Sequence, residues 1–144
     1  MLFRQLFDTK SSTYTYLIAS AKGREALIID PVEENVDEYV NHLKELDLKL
    51  VKVIDTHIHA DHISALNELN KRTNCIRVMG EKSKSEVIDL RIKDGEKIKV
   101  EEVELQAIYT PGHTDCSYSF LMNDRVFTGD TLLINGSGRT DFQN

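Results

Sequence analysis

Three of the five histidines in this 144-residue chain fall within six positions, at His57, His59 and His62, with Asp61 set among them. The segment Thr56-His57-Ile58-His59-Ala60-Asp61-His62 follows the apolar run Leu48 to Asp55. That run reads as a strand, and the residues after it as a loop leaving the strand's C-terminal end. A loop of this kind can turn several side chains toward one point. Imidazole and carboxylate together are the donors that hold zinc, iron or manganese. A polar surface loop that merely happens to be rich in histidine is the competing reading, and so tight a cluster at a strand end weighs against it.

Two further turns carry the same donor types. Thr110-Pro111-Gly112-His113-Thr114 places a histidine directly after a strand, and Phe127-Thr128-Gly129-Asp130-Thr131 does the same for an aspartate. Alone, each is ordinary turn chemistry. Together with the first cluster they form a coherent set, because glycine lets the backbone turn sharply enough to present a ligand at a strand end. The candidate metal ligands are therefore His57, His59, Asp61, His62, His113 and Asp130, with Asp61 and His62 also candidates for a catalytic role.

The remainder of the chain supplies a scaffold. Leu2 to Phe7, Thr13 to Ala19 and Glu25 to Asp30 read as an opening β-meander with turns at Asp8–Ser12 and Ala21–Gly23. Pro31 stops the third strand. Val36, Val40, Leu43 and Leu46 then recur at helical spacing behind the acidic pair Glu33-Glu34. His42 lies off that stripe and reads as a surface residue. Ile63, Leu66 and Leu69 mark a second helix that fades near Thr73, and Cys75 to Met79 reads as a strand ended by Gly80. Glu81 to Lys84 reads as a solvated loop, and Asp94-Gly95 as a turn. Val103 to Tyr109 alternates as a half-buried strand, and Tyr118–Met122 pairs with Arg125–Phe127 across Asn123-Asp124. Strands precede and separate the helices without a strict repeat, which predicts one α/β layered domain over residues 1–144 with a mixed or antiparallel sheet.

Composition narrows the function classes. With 40% hydrophobic residues the chain can build a core, and a formal net charge of −6 argues against nucleic acid as partner. No apolar run approaches the roughly 20 residues of a spanning helix, and no secretory leader is visible at Met1-Leu2-Phe3-Arg4. A soluble, cytoplasmic protein without a membrane partner is expected. Cys75 and Cys116 read as reduced thiols.

The order His-x-His-x-Asp-His, Gly-His turn, Gly-Asp turn resembles the metallo-β-lactamase superfamily over the whole chain. The resemblance implies an αββα sandwich, here incomplete: a mixed sheet with flanking helices and the metals at one sheet edge. Finer motifs are similar to persulfide dioxygenases: Phe3-Arg4-Gln5-Leu6-Phe7-Asp8, Ser12-Thr13-Tyr14-Thr15-Tyr16-Leu17-Ile18, and above all Gly136-Ser137-Gly138-Arg139-Thr140-Asp141-Phe142-Gln143. That likeness implies oxidation of glutathione persulfide by O₂ to sulfite and glutathione, with one Fe(II) per chain. By position it implies His59, His113 and Asp130 as iron ligands, a facial set of two imidazoles and one carboxylate. His57, Asp61 and His62 would then orient the ligands, and Arg139 would hold a glutathione carboxylate. Two departures stand out: Ser137 replaces a usual Cys, and Asp115-Cys116-Ser117 lacks a usual Gly.

Members of this family continue past Gln143 into a portion that carries a late His, the ligand that closes the second metal position of dizinc hydrolases. Two alternatives to the dioxygenase follow. One is a glyoxalase II-type hydrolase, in which Zn(II)-bound hydroxide attacks a glutathione thioester. The other is a chain that binds metal yet lacks a complete substrate pocket and is inactive. An open sheet edge and core face also lead to the expectation of a homo-oligomer.

Overall fold

The computed structural model of the chain describes residues 1–57, 65–83, 85, 87–111 and 117–128. Its strands form two sheets. The first has six strands in the order β1 (Leu2–Asp8), β2 (Thr13–Ala19), β3 (Glu25–Ile29), β4 (Lys49–Ile54), β5 (Ile76–Gly80) and β6 (Leu90–Ile92). The meander β1-β2-β3 is antiparallel, as the short turns require, and β3-β4-β5-β6 run parallel. The second sheet is antiparallel, in the order β10 (Val126–Phe127), β9 (Tyr118–Leu121), β8 (Val103–Tyr109) and β7 (Lys97–Val100).

Helical crossovers link β3 to β4 and β4 to β5. The first is a 3-10 turn, Glu33–Asn35, that runs into helix α1 (Val36–Glu45), and the second contains helix α2 (Leu66–Thr73). Val36, Tyr39 and Leu43 of α1 and Leu66 and Leu69 of α2 are buried against Leu17, Ile28, Leu50 and Val53 on one face of the first sheet. The other face carries Ile18, Leu27, Ile29, Ile54 and Val78. These meet Ile98, Val103, Leu105, Phe120 and Phe127 of the second sheet. The sheets therefore sandwich an apolar core, in which each fully buried large side chain contributes roughly 1.5–3 kcal/mol. Lys52 Nζ donates to the Lys99 carbonyl at 2.7 Å, a polar tie between the sheets.

Between β3 and β4 the ladder shifts by one residue. Ala26 pairs with Leu50 but Leu27 pairs with Lys52, so Val51 is an extra residue and a β-bulge. The bulge explains why Leu-Lys-Leu-Val-Lys-Val-Ile lacks clean alternation. Leu50 and Val53 face the helices, whereas Val51 and Ile54 face the second sheet.

The opening meander, both helices, the β9–β10 hairpin and the sandwich match expectation. Helix α2 ends at Thr73, and Asn74 closes it in the left-handed region (φ 60°), its N–H on the Asn70 carbonyl at 2.8 Å. Ile63 lies outside the described residues. The two layers of the sandwich differ, one sheet being mixed and the other antiparallel. Strands β6 and β7 were not anticipated. The loop at Glu81 is only partly solvated: Ser83 is buried, with its hydroxyl on Met79 Sδ at 3.4 Å and its carbonyl accepting from Arg91. Cys75 is a buried free thiol just before β5, and burial raises its pKa. Cys116 lies outside the described residues.

Candidate metal centre

The parallel strands β3, β4 and β5 end at one rim of the first sheet, and this is where the histidine segment begins. Thr56 and His57 follow β4 after a single residue, Asp55, and all three are buried. At the same rim β3 runs out into Asp30, also buried, with φ +54°. Aspartate tolerates the left-handed region better than most residues, but holding it there has a cost. The conformation turns the Asp30 carboxylate across to β4. Oδ1 accepts the Thr56 N–H at 2.8 Å, and Oδ2 accepts the Thr56 hydroxyl at 2.9 Å.

Thr56 Oγ1 also lies 2.9 Å from His57 Nδ1. A threonine hydroxyl has one proton, and here the carboxylate takes it. The imidazole must then donate, which assigns the proton to Nδ1 and makes Nε2 the nitrogen that carries the lone pair. A carboxylate, a hydroxyl and an imidazole in series is the support given to a histidine that ligates a metal through its other nitrogen. The donor chemistry of His57 thus fits a metal.

The second sheet brings its segments to the same rim. The Tyr118 N–H donates to the Thr56 carbonyl at 2.9 Å, joining the start of β9 to the end of β4. The Thr110 N–H donates to the Ser117 carbonyl at 3.0 Å and closes the neck of the β8–β9 connection, which contains His113. Phe127 pairs with Phe120, so β10 runs out beside the start of β9 and its next residues lead to Asp130. The Phe127 ring lies 4.8 Å from that of Tyr16 and 6.1 Å from that of Phe3, so aromatic packing holds the strand leading to the aspartate. Tyr118 is fully buried, and its ring lies on Gly80 so closely that a Cβ there would stand 2.0 Å from Cδ1. Burial, reinforced by Glu81, raises the Tyr118 pKa and keeps the phenol neutral.

Of the candidate ligands, His57 alone is among the described residues. His59, Asp61, His62, His113, Asp130 and Arg139 lie outside them, and among the described residues no three His, Cys, Asp or Glu side chains gather around one point. The three motif segments nevertheless spring from adjacent strand ends. Sequence reasoning missed Asp30 and Gly80. Asp30-Pro31 looks like a strand stop, and only the structure shows its carboxylate under Thr56.

Residues 8–143 match the model of the metallo-β-lactamase superfamily. The chain belongs to that superfamily. Among relatives, it is 43% identical to the mitochondrial persulfide dioxygenase ETHE1 of Mus musculus, over 99% of this chain and 57% of the mouse protein. A probable hydroxyacylglutathione hydrolase of Schizosaccharomyces pombe is 34% identical over 88% of this chain and 51% of the yeast protein. Among metallo-β-lactamase folds of known structure, ETHE1 from Myxococcus xanthus superposes with a TM-score of 0.91 at 50% identity, covering all of this chain and 64% of that one. The chain therefore spans little more than half the length of the curated relatives it matches.

Proposed function

We propose that this chain carries the metal-binding part of a non-haem iron dioxygenase that converts glutathione persulfide, O₂ and water to sulfite and glutathione. The observation that carries this reading is the degree of likeness: 43% identity to a persulfide dioxygenase over nearly the whole chain, against 34% over a shorter stretch to a hydrolase.

Bound at this rim, Fe(II) would supply the one-electron chemistry through which O₂ reacts with sulfur. His57, His113 and Asp130 would hold it, a set of two imidazoles and one carboxylate. The setting of His57, with Nδ1 held by Thr56 and Thr56 held by Asp30, favours it as a ligand rather than as a group that only orients others. Its expected role passes to His59, which with Asp61 and His62 would line the site. Arg139 would bind a glutathione carboxylate.

The test pairs iron analysis of anaerobically purified protein with an oxygen-electrode assay on glutathione persulfide. One iron per chain with O₂ uptake is expected, and His57→Ala should remove both while His59→Ala retains iron. Zinc content with turnover of lactoylglutathione and no O₂ uptake would replace this reading by the thioester hydrolase, which the hydroxyacylglutathione hydrolase relatives favour. Bound metal with neither activity would leave a metal-binding chain without a reaction.

Self-association through β1, the edge strand of the first sheet among the described residues, where Phe7 is exposed, is also proposed. A monomer by light scattering at low micromolar concentration would refute it. No helix among the described residues is long and apolar enough to cross a membrane. A cytoplasmic setting is proposed for this chain, while the mouse relative's name places that protein in the mitochondrion.

A further inference from the structure

Asp30 is held from behind as well as in front. Its backbone carbonyl accepts the Thr15 hydroxyl at 2.7 Å, and Thr15 Oγ1 lies 3.1 Å from the Tyr39 hydroxyl. Tyr39 in turn accepts the Val32 N–H at 2.9 Å. The proton count resolves the directions. Thr15 gives its only proton to the Asp30 carbonyl, so Tyr39 must donate to Thr15. Burial raises the Tyr39 pKa, which keeps that proton in place. The chain of donors runs from α1 through β2 to the end of β3, and each member is buried.

The Asp30 carboxylate and carbonyl point to different partners, just beyond β4 and on β2 respectively, and the φ of +54° is what allows both at once. A strained residue persists when its surroundings over-determine it. Among those surroundings are Thr15 (braced by Tyr39), Thr56 and the Ile54 carbonyl, which accepts the Asp30 N–H at 2.7 Å. Relaxing Asp30 to an ordinary strand conformation would swing its carboxylate off Thr56, which holds Nδ1 of the His57 ring.

We propose that Thr15 and Tyr39 are positioning residues for the metal centre: a two-hydroxyl brace that holds Asp30 in its left-handed conformation and thereby sets the tautomer and orientation of His57. The brace rests on the reading of His57 as a ligand only for its effect on metal. Its effect on the ring stands independently. Phenylalanine would fill the same space but would also leave the buried Val32 N–H without its acceptor, so Tyr39→Phe lowers stability as well, and the tautomer and metal readouts below separate that loss from the brace.

The experiment uses Tyr39→Phe, Thr15→Val and Thr15→Ser in the 144-residue chain. The first readout is the ¹⁵N–¹H correlation pattern of His57 in metal-free protein, assigned by its loss in His57→Ala. The second is Co(II) affinity from the visible absorption of the ion. In the parent, Nδ1 is the protonated nitrogen. Tyr39→Phe and Thr15→Val should mix the tautomers and weaken Co(II) by about three- to tenfold, below the 10–100-fold loss usual for a direct partner of a ligand. Thr15→Ser should restore both to within about twofold of the parent, since it keeps the donor. A lowered melting temperature with an unchanged tautomer and unchanged Co(II) affinity would make the hydroxyls structural only and overturn the brace. Should His57→Ala leave Co(II) affinity unchanged, the ligand reading fails, and the tautomer pattern alone then decides the brace.

Discussion

Gly80→Ala tests the contact that seats the second sheet beside the histidine segment. A Cβ at position 80 would stand 2.0 Å from Tyr118 Cδ1 and Cε1 and 2.7 Å from Cζ. Ordinary carbon contacts begin near 3.5 Å. The ring has little room to retreat, because Tyr118 is fully buried and Tyr109 packs on it at 5.1 Å between centroids. Gly80 has no left-handed φ, so alanine suits the backbone and by itself would stabilise the chain by roughly 0.4–1 kcal/mol. Overpacking of a core costs about 1–3 kcal/mol, and an overlap this deep belongs at the upper end. The net expectation is a loss of about 2–3 kcal/mol. For a domain near this size that is roughly a 5–10 °C fall in melting temperature. The strain should also pull the Tyr118 N–H from the Thr56 carbonyl, now 2.9 Å away, and so loosen metal binding. The assay is urea denaturation of the parent, Gly80→Ala, Tyr118→Val and the double variant. Valine lacks the clashing ring atoms, so Gly80→Ala should be neutral or slightly stabilising in that background, a coupling of about 2–3 kcal/mol. An equal loss in both backgrounds would refute the steric reasoning.

Thr56→Val removes the hydroxyl between Asp30 and His57. It should weaken Co(II) about 10–100-fold while Thr56→Ser stays near the parent, measured by metal titration. The Arg77 guanidinium forks onto Asp89, at 2.9 and 3.0 Å, and with the Arg77 N–H holds that carboxyl down at about 2 against an ordinary 3.8. A depressed carboxyl stabilises the fold above its unfolded pKa. That contribution is lost as pH falls from about 4 through about 2, and for so exposed a pair it is under about 1 kcal/mol. Arg77→Lys should raise the Asp89 pKa and flatten that part of the stability curve, read by carboxyl NMR titration. Arg125 sits 4.1 Å over the Phe3 ring and pairs with Asp124. Arg125→Met should cost roughly 0.5–1 kcal/mol, checked as a shift in urea midpoint without loss of metal affinity.

The parts of this molecule that repeat a simple period could be read in advance. Thr13 to Ala19 and Val103 to Tyr109 behave as strands because their apolar positions define a face, and α1 because Val36, Val40 and Leu43 define a stripe. Tyr39 lies on the buried side of that stripe and was overlooked, since its use is a hydroxyl bond to β2 that no helical spacing reports. Leu90–Ile92 is too short to show alternation and has two exposed residues, so only its pairing with β5 makes it a strand. The donor types at His57, His113 and Asp130 were visible as motifs. Asp30 was not, because its role depends on a backbone twist and on a neighbour 26 residues away. Gly80 looked like a strand terminator, and its purpose appears only once Tyr118 lies on it.

The extra residue in β4 has a consequence for how this chain tolerates changes of length. Side chains along a strand alternate, so the bearing of Thr56 and His57 depends on the parity of the count from the last paired residue. Deleting Val51 would straighten the ladder and leave Lys52, Val53 and Ile54 opposite the same partners on β3, so the histidine segment would keep its bearing. Deleting one residue after the bulge, at Val53 or Ile54, would reverse the parity and send Thr56 away from Asp30. Insertions and deletions in this strand should therefore be tolerated on one side of position 51 and ruinous to metal binding on the other.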